Sequence, residues 1–139
     1  MVPIATNAAK AKLNVADYAE IDELVDAIKA KWSRDAICDL LVNSDRAVIR
    51  ALQILLARQT IDEQDTYTTQ DANGVGFTQW DAKFYTAMAK RTLDGSGLSA
   101  GQIGALRKIN KRGRPSIGKY WRQIQEEIVT KELAEANHA

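Results

Sequence analysis

An all-α fold is what this sequence predicts: a compact, single-domain bundle of about six helices. Three observations predict it. Apolar residues recur at the 3.6-residue helical period in successive segments. Serines and threonines stand where helix N-caps belong, just ahead of those segments. Strand alternation is almost absent, and 8 Gly and 2 Pro among 139 residues leave few points at which helices must break. The length fits one domain with room for a core. At 45% apolar and 27% charged residues the composition is ordinary for a globular chain, so wholesale disorder is not expected.

Residues 1–14 are small and polar, with Pro3, and read as a flexible leader ahead of a helical domain at 15–136. From about Asp17 the helical period begins, and Ile21, Leu24, Val25, Ile28 and Trp32 fall on one face. Ser33 is placed to cap a short second helix carrying Ile37, Leu40 and Leu41. Ser44 with Asp45 opens a third, whose stripe of Val48, Leu52, Leu55 and Leu56 is widened by Ile49 and Ile54. Apolar around much of its circumference, this helix should be the central one.

Residues 60–78 break the pattern with Thr, Asp and Gln, and Asn73-Gly74 favours a tight turn. Either a short hairpin (67–69 against 75–77) or an irregular loop fits. Thr78 is placed to cap a fourth helix, with Asp81 reciprocating in a capping box and Trp80, Phe84, Ala87 and Met88 inward. Asp94-Gly95-Ser96-Gly97 stops that helix. Ser99 and Gln102 satisfy the capping-box pattern for a fifth helix with Ile103, Leu106 and Ile109 inward. After a break at 112–115, Ser116 should cap a last helix carrying Ile117, Trp121, Ile124 and Ile128.

Charge points to a partner class. The window 107–122 reads RKINKRGRPSIGKYWR, seven basic residues and no acidic one, in a chain whose formal net charge is only +1. The remainder is therefore net negative: 17–45 holds eight acidic residues against three basic, and 61–72 holds Asp62, Glu63, Asp65 and Asp71 with no base. Concentrated Lys/Arg is the electrostatic footprint of a phosphate binder. Two helices and a glycine turn outline a helix-turn-helix-like segment at 99–134. It would offer Arg107, Lys108, Lys111, Arg112, Arg114, Lys119 and Arg122 to the phosphates of DNA or RNA, with Tyr120 placed to stack on a base. The first positions of the last helix, Ser116, Ile117 and Gly118, are short or apolar, so backbone recognition fits better than base reading.

Other features read as structural. Trp32, Trp80 and Trp121 each fall on an apolar stripe and suit core packing. Gly74-Val75-Gly76 lacks the following Lys-Ser/Thr of a phosphate loop and reads as a turn. Cys38 is the only cysteine and His138 the only histidine, which excludes an internal disulfide and any Cys/His metal constellation. A reducing, cytoplasmic setting is the natural expectation. The carboxylates at 62–71 lack the spacing of a helix–loop–helix calcium site and read as a solvated loop. With no nucleophile beside a base, a non-enzymatic protein without metal or cofactor is expected. No apolar run reaches the ~20 residues of a membrane span.

The runs ILLARQTIDEQ (54–64), NGVGFTQWDAKF (73–84) and LSAGQIGALRKI (98–109) resemble a small module found in proteins of bacteriophages and mobile elements. That module joins an apolar helix ending in Ala-Arg-Gln-Thr to an acidic loop, an Asn-Gly-x-Gly-Phe turn and a helix starting near Asp-Ala. A Leu-Ser/Thr-x-x-Gln helix rich in Arg and Lys follows. The likeness covers about 44–111; Lys119-Tyr120 matches the module's closing Lys-Tyr segment only loosely. The resemblance implies a viral or mobile-element origin and transfers no catalytic residues. It also implies an alternative: an anti-CRISPR-like or other anti-host-defence inhibitor that binds a host or effector protein, with the acidic half at 17–72 as a partial DNA mimic. Preference between DNA and RNA, strandedness and oligomeric state stay open.

Overall fold

In the computed structural model, residues 18–59 and 76–138 are described. The expected leader at 1–14 and most of the loop or hairpin at 60–78 lie outside them. The described residues are all-α: α1 Tyr18–Lys31, α2 Arg34–Asn43, α3 Asp45–Ala57, α4 Ala82–Leu93, α5 Ala100–Arg107, a 3₁₀ segment Ser116–Tyr120, and α6 Trp121–His138.

Three caps form as the sequence predicts. The Ser33 hydroxyl accepts from the Ala36 N–H at 3.3 Å, and that of Ser44 from the Ala47 N–H at 3.2 Å. Ser99 and Gln102 make both bonds of a capping box, at 3.1 and 2.8 Å. Each cap satisfies N–H groups that the first helical turn leaves without partners.

Helix α3 is central. It packs against α2, α4, α5 and α6, and buries Val48, Ala51, Leu52, Leu55 and Leu56. Helix α6 runs back across α1, α2 and α3. Polar bridges fix it there: Gln125 donates to the Trp32 carbonyl at 2.9 Å, Trp32 Nε1 donates to Glu132 at 3.1 Å, and Arg58 pairs with Glu126 at 2.9 Å.

The structure corrects four expectations. On α4 the inward face is Ala82, Tyr85, Thr86, Met88 and Ala89, while Trp80 and Phe84 are exposed. Spacing admits both faces; the observed one carries two alanines that let α4 approach α3, and Gln59 donates to the buried Thr86 hydroxyl at 3.5 Å. Second, Thr78 and Asp81 form no capping box. Asp81 occupies the N-cap position without a side-chain cap bond because its carboxylate is engaged by Tyr120 and Lys119.

Third, Ile109 is 57% exposed, because α5 ends at Arg107 and the chain leaves the core. Finally, Ser116 does not cap a helix. Pro115 holds that position, the segment opens as 3₁₀, and the Ser116 hydroxyl donates to the Lys108 carbonyl at 2.7 Å. The stripe beyond holds: Ile117 and Ile124 are buried, with Trp121 and Ile128 packed at the core's margin.

Candidate functional site

The expected short break between two helices is instead a hairpin spanning 108–116. Its turn is made by Asn110, whose carbonyl accepts from the Gly113 N–H at 3.0 Å and whose N–H donates to the Arg114 carbonyl at 2.7 Å. The Asn110 side-chain oxygen accepts from the N–H groups of Arg112 (2.9 Å) and Arg114 (3.2 Å), an Asx-type lock on the same turn. Gly113 takes φ +76°, the left-handed residue that follows a type I turn in tight hairpins. Ile109 bridges Pro115 in antiparallel fashion, and the Ser116 N–H closes on the Lys108 carbonyl at 2.8 Å. An eight-residue α5, this hairpin and the 3₁₀ segment therefore replace the outline of a helix-turn-helix.

The seven cations divide by what they touch. Arg107 is tied into the fold: its Nε donates to the Leu41 carbonyl at 2.7 Å and its Nη1 pairs with Asp45 at 2.7 Å. It thereby joins the last turn of α2 to the first turn of α3, satisfying a free helix carbonyl at one and a helix-start carboxylate at the other. Its Nη2 is buried without a hydrogen-bond partner among the described residues. Lys119 pairs with Asp81 at 2.8 Å.

Lys108, Lys111 and Arg112, by contrast, are exposed on the hairpin and make no ion pair among the described residues. Arg114 is half-buried at the hairpin's base, close enough to Cys38 to oppose the effect of burial, which pushes that thiol above the usual cysteine range. Cys38 itself is a buried core residue. Arg122 lies over the Trp121 ring at 5.3 Å, a cation–π arrangement that leaves the guanidinium exposed.

Tyr120 is not available to stack. It is 4% exposed, its ring packs edge-on against Phe77 and Tyr85, and its hydroxyl donates to Asp81 at 2.5 Å while accepting from the Thr78 N–H at 3.0 Å. Burial first, then the bond to the Asp81 carboxylate, holds its phenol well above the ordinary tyrosine range. Position at the edge of a stripe suggested exposure; the network through Asp81 draws the side chain inward instead.

Among the described residues Trp80 does reach water, at 94% exposed, with the 41%-exposed Phe84 one turn further on. Periodicity concealed it, because the two rings are the strongest apolar residues of that segment. The signal against them was the alternative face of Ala82, Tyr85, Thr86 and Ala89 at i, i+3, i+4 and i+7.

Among the described residues no group of three or more His, Cys, Asp or Glu stands close enough to hold a metal ion. Nor is any helix among them long and apolar enough to cross a membrane. Comparisons of the chain with protein-family models, curated proteins and solved structures give no match. The resemblance to a phage module thus rests on the residues quoted for it.

Proposed function

We propose that this protein binds nucleic acid through the phosphate backbone, without reading base sequence, and that the hairpin at 108–116 is the contact. One observation carries the proposal. Lys108, Lys111 and Arg112 stand exposed on a turn locked by Asn110 and make no ion pair among the described residues, while Arg107 and Lys119 from the same basic window are paired with Asp45 and Asp81. A locked turn lowers the ordering cost of bringing several cations to one polyanion. Arg114 lies half-buried at the base of the same hairpin, and Arg122 is exposed on α6. The reading replaces a recognition helix by a basic finger and keeps backbone contact as its chemistry.

Salt dependence is the test. Binding to a DNA duplex should weaken linearly on a log–log plot against salt. Replacing Lys111 and Arg112 together by Ala should lower the magnitude of that slope by about two and leave the thermal midpoint unchanged. An absence of binding to DNA and RNA, single- or double-stranded, at low salt would overturn the proposal. An unchanged slope in the double variant would remove the hairpin as the contact.

A further inference from the structure

Trp80 presents a problem that the hairpin does not answer. Large apolar side chains are normally withdrawn from water, and Trp80 is left almost wholly outside, with a partly exposed Phe84 one turn further on. The other two tryptophans of the chain, Trp32 and Trp121, both pack against the core.

The ring is also carried on a fixed support. The turn from Thr78 to Asp81 closes with a backbone bond of 3.1 Å. Before it, the Phe77 N–H donates to Gln59 at 3.0 Å and the Phe77 ring is buried against Tyr85 and Tyr120. After it, the Asp81 carboxylate is held by Tyr120 and by Lys119. Residues on both sides of Trp80 are therefore anchored, and only its side chain projects.

We propose that Trp80 is a stacking site for an unpaired base of a single-stranded nucleic acid, with the exposed Phe84 one turn further on and Lys83 between them for a neighbouring phosphate. The inference rests on the nucleic-acid reading above and names the form of the strand. Charge selects this occupant. Lys119 neutralises the carboxylate next to Trp80, and Lys83, three residues on, is exposed with no ion pair among the described residues, which leaves one unpaired cation beside the ring in sequence.

A flat aromatic face with a free cation beside it is what a base and its phosphate require. A protein partner would need about 800 Å² on each side, and one exposed ring with a half-exposed neighbour is too small a centre for that.

The probes are an oligothymidylate of about 12 nucleotides, within the span such sites cover, and a duplex of the same length. Trp80→Ala should weaken binding of the single strand about 5- to 150-fold, the range seen when one stacking ring is removed. It should leave duplex binding and the thermal midpoint unchanged, and Trp80→Phe should retain most of the affinity. Wild-type-like single-strand binding by Trp80→Ala, while Lys111→Ala with Arg112→Ala weakens both probes, would overturn the stacking site and leave the phosphate reading standing. Equal loss on both probes would also overturn it, as would a nuclease-resistant protein partner released by Trp80→Ala with nucleic-acid binding intact. No binding of either probe by the wild type would end both readings together.

Discussion

Gly76 and Gly113 hold nearly the same backbone angle, φ +77° and +76°, in opposite surroundings. Around Gly76 every polar atom is partnered inward. Its N–H donates to Gln123 at 2.7 Å, its carbonyl accepts from the same side chain at 3.0 Å, and the next N–H goes to Gln59. Around Gly113 the turn is closed by bonds to Asn110, and the neighbouring Lys111 and Arg112 are exposed with no ion pair among the described residues. A Cβ at Gly76 would fall 2.6 Å from Gln59 Oε1, whereas one at Gly113 would meet nothing within 4 Å. Both glycines are required by the left-handed backbone, but only one is also required by packing. The contrast separates a turn that builds the core from a turn that displays charge.

The largest effect should come from breaking the inner turn. Gly76→Ala adds the strain of a left-handed alanine, and the clash cannot be relieved cheaply. Gln59 is buried and fixed by its bonds to Phe77 and Thr86, so moving it strands a buried N–H. Together these should cost about 2 kcal/mol or more. Urea unfolding measures it; a loss no greater than that of Gly113→Ala would show that the Gln59 contact is not a constraint.

A smaller effect, with a sign set by pH, should follow from Tyr120→Phe. Burial, reinforced by the Asp81 carboxylate, raises the phenols of both Tyr85 and Tyr120 well above the ordinary value. Below about pH 10, the unfolded tyrosine value, both states keep the proton and the stabilisation is fully present. Above it the unfolded chain ionises first, so stability falls as pH rises. Tyr120→Phe should lose about 1–2 kcal/mol at pH 8 through its missing hydrogen bonds. Between about pH 8 and 11 its stability should fall less steeply than that of the wild type. Parallel decline in the two proteins would show that Tyr120 does not contribute to the alkaline transition.

The same contrast explains what the sequence disclosed. The helices and three of their caps were legible because periodicity and Ser-x-x patterns are local. The basic window was legible as a count of charges. Which cations are free was not, because Arg107 meets Leu41 and Asp45 across the chain and Lys119 meets Asp81 from another element. The same long-range network placed Tyr120 inside and left Trp80 outside, reversing the roles that stripe position assigns them. Hydrophobic periodicity ranks faces by apolarity, whereas packing selected the face whose small residues let α4 sit against α3.

The outer turn offers the finest test, because charge and geometry can be varied there separately. Gly113→Ala leaves every cation in place and adds only the cost of a left-handed alanine in open space, about 1 kcal/mol. The number of phosphates neutralised would then be unchanged, so the salt slope should equal that of the wild type. Affinity should still fall by a few-fold, to the extent that a loosened turn no longer holds Lys111 and Arg112 ready for the strand. The double variant lacking those two cations should show the reverse, a reduced slope at unchanged stability. If Gly113→Ala instead lost slope as well as affinity, the cations would depend on the turn even to reach the phosphates, and the hairpin would act as a single rigid contact.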